Sequence, residues 1–128
     1  MKLLIDTHLL LWAAADELPA EAERFIANES NLLLFSSASI WEVVIKCGLG
    51  RSDFSVDPYA LYGGLLENGY EELCVAAKHA LTIHALPPIH KDPFDRILVS
   101  QAISEGVHLL TSDNLVAQYR GPVIFVKN

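Results

Sequence analysis

Two acids stand three residues apart in HKDPFDRILVSQA, the segment from His90 to Ala102: Asp92 precedes Pro93, and Asp95 follows Phe94. Ahead of a mostly apolar run, this is the spacing of a helix start. Asp92 is a good N-cap and Pro93 a good first helical residue, which makes Asp95 the third, where a carboxylate meets free backbone N–H groups. One cap is enough, so capping accounts less well for Asp95. Three more acids hold comparable places. Asp6 directly follows the apolar run Lys2 to Ile5, Glu42 lies among Ile40, Trp41, Val43, Val44 and Ile45, and Asp113 comes just past the run ending at Thr111. Each has a structural use open to it. Asp6 and Asp113 can cap the helices that follow them, while Glu42 has capping-box spacing to Ser39 and the favourable i, i+4 order to Lys46.

Brought together, these acids point to a different chemistry. Two carboxylates about 4 Å apart repel by roughly 4 kcal/mol at an effective dielectric of 20, so a cluster of three or four needs protons or a cation. Carboxylate oxygens and water suit Mg²⁺ or Mn²⁺, and the chain has no set of thiolates or paired imidazoles suited to zinc. A divalent cation in such a setting lowers the pKa of water and stabilises charge on a phosphoryl oxygen, which makes phosphodiester hydrolysis the natural reaction.

The elements that must position these acids alternate along the chain. Lys2 to Ile5 reads as a buried strand, Thr7 to about Ala15 as a helix ended before Pro19, and Ala20 to Asn28 as a second helix with Glu21 and Glu23 in its first turn. Leu32 to Phe35 is a further strand. The serines of SSAS offer N-caps for a helix through Ile40 to Ile45 that Gly48 and Gly50 terminate. Asp57-Pro58 starts a helix through Leu65 and Leu66, Glu72 to Val75 reads as a short strand, and Ala76 to His84 as a short helix. After Leu86-Pro87-Pro88 come the long helix of the opening segment, a strand His108 to Thr111, a short helix Leu115 to Tyr119, a Gly121-Pro122 turn and a strand Val123 to Val126. Buried strands alternating with helices imply one α/β domain over residues 1–128, with a parallel sheet of four or five strands flanked by helices. Ligands in such folds bind beyond the carboxyl ends of the strands, the edge where Asp6 and Asp113 fall.

Composition agrees with one packed domain. The 128 residues are 52% hydrophobic, enough for a core without staples. No apolar run approaches the roughly 18 to 20 residues of a membrane span, and the N-terminal apolar run meets Asp6 at once, so a soluble cytoplasmic protein with no membrane partner is expected. Cys47 and Cys74 lie among apolar neighbours without metal-site spacing and read as buried core thiols. A net charge of −7 argues against nucleic-acid binding driven by a basic surface. Any such chemistry would need bound cations or a local basic rim.

Four stretches, LLIDTHLLLW, SASIWEVVIKCGLG, HKDPFDRILVSQA and LLTSDNLVAQY, resemble the ordered motifs of PIN-domain proteins, in particular VapC-type toxins of type II toxin–antitoxin pairs. The likeness spans nearly the whole chain. Residue by residue, Asp6, Glu42, Asp95 and Asp113 match that family's acidic quartet, and Asp92 is the additional acid of the DPFDR form. The resemblance implies a PIN-like fold and a Mg²⁺- or Mn²⁺-dependent endoribonuclease. It also implies a homodimer held inactive by a cognate antitoxin, with the quartet as catalytic and metal-binding residues and RNA cut to 5′-phosphate and 3′-hydroxyl ends. A noncatalytic PIN-like module that binds RNA or a protein partner is the alternative. A phosphoacceptor receiver domain fits less well, because it needs paired acids after its first strand and Asp6 stands alone.

Weaker signals surround the quartet. Thr7 and Thr111-Ser112 could bond a metal's water or a phosphate, or serve turns and caps. Lys46, Lys91 and Arg96 could meet RNA phosphate, though ion pairs or solvated surface explain them more simply. His8, His79, His84, His90 and His108 show no matched ligand spacing and stay outside the expected site. Trp12 and Trp41 read as core or interface. The segment Arg51 to Tyr70 carries more large apolar residues than a solvated excursion needs. Part of it is expected either to form a groove for a partner's amphipathic segment or to complete the core.

Overall fold

The computed structural model describes residues 1–128. Its centre is β1 (Lys2–Ile5), a strand whose last three residues are fully buried. It pairs in parallel with β2 (Leu32–Ser36) on one side and β4 (His108–Thr111) on the other. β3 (Glu71–Leu73) and β5 (Val123–Phe125) form the edges, in the order β3-β2-β1-β4-β5. All pairs are parallel, and the sheet reaches the upper of the two strand numbers expected. The apolar run LLI is buried on both faces, as a central parallel strand under helices requires, while LLLF is partly covered up to the buried Phe35.

Alternation along β1 divides the core in two. Leu3 and Ile5 face a cluster with Leu9 and Leu10 of α1 (Thr7–Ala14), Ala22 of α2 (Ala20–Ala27), Val43 of α3 (Ser37–Gly48) and Leu61 and Leu65 of α4 (Pro58–Glu67). Leu4 points the other way, into a cluster with Leu98, Val99 and Ala102 of α6 (Pro93–Glu105). Each fully buried Leu or Ile side chain contributes about 1.5–3 kcal/mol relative to exposure, so the two clusters clamp the sheet between helices. The short α5 (Ala77–Thr82) packs on α6, where Glu105 Oε2 lies 2.7 Å from His79 Nε2.

Helix ends follow their sequence signals. Asp92 caps α6 by accepting from the N–H groups of Phe94 (2.8 Å) and Asp95 (3.3 Å), and the helix stops at Gly106, whose φ of 67° suits a residue without Cβ. Ser36 caps α3 by accepting from Ala38, so Ser39 lies inside the helix and makes no capping box with Glu42. Differences gather at the periphery. The expected strand Glu72 to Val75 is Glu71–Leu73. The expected helix Ala76 to His84 is α5 plus a 3₁₀ turn at Ile83–Ala85, and Leu115 to Tyr119 shortens to a 3₁₀ turn at Val116–Gln118.

The cysteines correct an expectation. Cys74 is exposed and Cys47 is only partly covered. Cys74 follows edge strand β3, which has no neighbour beyond it, and Cys47 sits in the last turn of α3 where the helix leaves the core. No helix is long and apolar enough to cross a membrane.

Candidate metal centre

In the strand order, β1 lies between β2 and β4, so the chain leaves it in opposite directions and a crevice opens at the carboxyl ends of β1 and β4. Asp6 and Asp113 stand there. Asp6 follows β1, donates its N–H to the Leu110 carbonyl (3.0 Å) and caps α1 through Oδ1, which accepts from the His8 N–H (3.1 Å). Its Oδ2 accepts from the Thr111 hydroxyl, and Thr111 Oγ1 in turn accepts from the Asp113 N–H (3.1 Å). Asp113 Oδ1 turns outward to the Leu115 N–H (2.8 Å). Asp6 therefore caps α1 as the sequence allowed, Asp113 holds the turn ahead of Val116–Gln118, and its other oxygen faces His90.

Glu42 reaches the same crevice from α3 and Asp95 from the first turn of α6. Glu42 is 2% exposed; Oε2 pairs with the Lys46 ammonium at 2.5 Å, while Oε1 is buried with no hydrogen-bond partner. An orphaned buried carboxylate oxygen costs on the order of 1–3 kcal/mol or more. Lys46 also reaches Asp92 Oδ2 at 3.5 Å. Burial works against its charge, yet Glu42 and Asp92 outweigh burial and hold the ammonium above its usual range.

Crowding shows most at Asp95. Burial, then the charges of Asp6, Asp92, Glu42 and Asp113, push its pKa up to about 8. Burial also raises Asp6, against the hydrogen bond from Thr111, with Glu42 adding a smaller push. The structure thus brings Asp6, Glu42 and Asp113 within electrostatic reach of Asp95, and Glu42 within reach of Asp6. An all-oxygen donor set with excess negative charge and an unpartnered oxygen fits a hard divalent cation.

His90 corrects the expectation that no histidine belongs here. Its Nε2 lies 3.1 Å from Asp95 Oδ2 and 3.3 Å from Asp113 Oδ2. Ligand spacing along the chain could not reveal it, because His90 precedes the helix and is aimed by loop geometry. The other named residues take structural places. Thr7 donates to Ser39 Oγ (2.8 Å), tying α1 to α3. Arg96 straps the loop before α6 through the carbonyls of Ile83, Pro87 and His90, and Lys91 is exposed. His79 accepts from the Ala76 N–H through Nδ1.

Residues 3–122 match the family described as PIN domain. No curated protein matches significantly in sequence. Among solved structures, VapBC2 from Rickettsia felis, bound to a DNA fragment from its promoter, superposes with a TM-score of 0.70 at 17% identity, over 99% of this chain and 98% of that one. A toxin–antitoxin complex from Klebsiella pneumoniae gives 0.60 at 17% identity, covering 94% of each chain. The PIN domain endonuclease Utp24 gives 0.59 at 15% identity, over 99% and 86%.

Proposed function

The chain belongs to the PIN-domain family, and from that premise we propose that it is a Mg²⁺- or Mn²⁺-dependent endoribonuclease acting in the cytoplasm as the toxin of a toxin–antitoxin pair. The observation that carries the reading is the buried Glu42 oxygen without a partner, on a carboxylate whose charge acts on both Asp95 and Asp6. On this reading those four acids hold the cation. When bound, it supplies Lewis acidity that makes water a nucleophile near neutral pH and stabilises charge on phosphorus oxygens. Thr111 fixes the rotamer of Asp6 by its hydroxyl, and the Ser39–Thr7 bond sets the helix that delivers Glu42. Lys46, already cationic at the rim, would be the chain's own group placed to meet a phosphate there.

The partner is an antitoxin, as in the Klebsiella complex. Its seat on this reading is an open apolar cavity of about 550 Å³ between α1 and α4, lined by Leu10, Ala14, Leu61 and Leu65 among others. Within the segment Arg51 to Tyr70, Leu61, Leu65 and Tyr70 line that cavity. Phe54, Leu61, Leu65 and Tyr70 are buried in the core, whereas Tyr59, Tyr62 and Leu66 are exposed. A homodimer would use α3, whose Trp41, Val44 and Ile45, continued by Leu49 just past its end, form an exposed apolar stripe at helical spacing, with Trp41 62% exposed.

The direct test is cleavage of cellular RNA by the purified chain with Mg²⁺, Mn²⁺ or a chelator. Metal-dependent cutting that vanishes in Asp95→Asn is the expected result. RNA binding without turnover under every metal condition would favour the noncatalytic module instead.

A further inference from the structure

His90, Asp95 and Asp113 offer three donor atoms within 4.8 Å of one another, an arrangement that on distance alone reads as a ready three-ligand site. The other ring nitrogen decides otherwise. Nδ1 of His90 faces the backbone N–H of Asp92 at 3.1 Å, and a backbone N–H can only donate. Nδ1 must therefore keep its lone pair, which leaves the proton of a neutral imidazole on Nε2. That nitrogen then has no lone pair in the ring plane to give a metal. Its N–H instead points at the facing oxygens of Asp95 and Asp113.

The ring has little freedom to change this. The backbone of His90 is anchored on both sides, its N–H donating to the Tyr119 hydroxyl (2.9 Å) and its carbonyl accepting from Arg96 (3.3 Å). The Asp92 N–H is equally fixed, because Asp92 is the cap residue of α6 and its side chain is tied to Phe94.

We propose that His90 is a positioning residue: held as its Nε2–H tautomer by the Asp92 backbone, it donates to Asp95 and Asp113 and holds one oxygen of each toward a shared cation without ligating it. This rests on the metal-nuclease reading for its purpose but not for its tautomer. The ligand set stays all-oxygen, so selectivity follows hard-cation rules and not the nitrogen-rich preferences of zinc or nickel. Hydrogen-bonding partners that orient metal ligands commonly change affinity about 10–100-fold when removed.

Two spectroscopic measurements and one affinity series test it. In the metal-free chain, at a pH where the histidine rings are neutral, long-range ¹⁵N–¹H correlation should place the His90 proton on Nε2, unchanged in Asp92→Asn, which keeps the backbone N–H. An Nδ1–H tautomer overturns the proposal. In the Mn²⁺-loaded chain, electron spin-echo modulation should show no directly coordinated ring nitrogen. A coordinated ¹⁴N signal lost in His90→Gln also overturns it. Glutamine places an N–H where Nε2 stands, so His90→Gln should keep Mn²⁺ affinity within about threefold while His90→Ala loses about 10–100-fold. Equal losses in the two variants, with melting temperatures unchanged, count against the hydrogen bond. If the wild-type chain binds neither Mg²⁺ nor Mn²⁺, the metal-nuclease reading fails while the ring spectra still decide the tautomer.

Discussion

Lys46 stands 2.5 Å from one carboxylate oxygen of Glu42, one helical turn away, and leaves the other oxygen buried and unpaired. Half of the charge is thus met by the chain itself and half is left for something else. A pair this covered is costly to break from one side, because the survivor is left charged in a poorly solvated place.

Lys46→Met should therefore destabilise the metal-free protein by about 2–4 kcal/mol. A divalent cation can replace the lost ammonium, so saturating Mg²⁺ should raise the melting temperature more in the variant than in the wild type. Thermal melts of both proteins with chelator and with Mg²⁺ measure this. An identical metal-induced shift would mean that the cation does not contact Glu42.

Asp95 gives a pH prediction of opposite sense to the usual carboxylate. Its folded pKa of about 8 lies above its ordinary 3.8, so between those values the native state holds a proton that the unfolded chain has lost. Stability of the metal-free protein should consequently fall as pH rises from about 4 to about 8, by on the order of a few kcal/mol, and this contribution should level off above. Asp95→Asn removes that slope and should raise stability at neutral pH while abolishing metal-dependent cleavage. Urea unfolding across this range, in chelator, checks the slope.

Asp92→Asn separates the two neighbouring acids. Asparagine caps a helix about as well as aspartate, and the contact to Lys46 at 3.5 Å is long, so stability should change by less than about 0.5 kcal/mol. RNA cleavage should stay near normal. A loss as deep as that of Asp95→Asn would make Asp92 a ligand.

What the sequence revealed follows from how local each signal is. The cap at Asp92, the start of α6 at Pro93 and the buried run of β1 depend on neighbours in the chain, and all three are read correctly from it. The positions of Asp6 and Asp113 at the carboxyl edge needed only the βα alternation. His90 was not legible, because its backbone is anchored by Tyr119 and Arg96, which lie 29 and 6 residues away and act through space. Trp41 was ambiguous for a different reason. α3 is apolar on nearly all sides, and periodicity cannot say which face meets the sheet when both would suit. Cys74 misled because apolar neighbours signal burial only where the strand has a covered face, and β3 is an edge.

The exposed stripe of α3 predicts self-association. Trp41→Glu places a charge at its centre, where the present ring packs edge-on against Phe94 at 5.3 Å between centroids and leaves most of its surface open. Little core is disturbed, so the monomer's stability should change by less than about 1 kcal/mol. Sedimentation should show a dimer for the wild type and a monomer for the variant. A wild-type monomer at all accessible concentrations would remove the stripe as a dimer interface.

The antitoxin seat can be probed from this chain alone. Ala14 and Leu61 line the apolar cavity from α1 and α4, and widening a side chain at the small position should block a partner while sparing the crevice of acids on the strand edge. Ala14→Trp is the variant of choice, since Ala14 is exposed and the last residue of its helix, so the larger ring needs no room in the core. Co-expressed with the product of the adjacent gene, it should bind that partner at least about tenfold more weakly, a loss of about 1.4 kcal/mol, and should cleave RNA uninhibited. Hydrogen exchange on the wild-type complex should show protection in α1 and α4. Full inhibition of Ala14→Trp together with unchanged exchange across both helices would move the partner to another face of the protein.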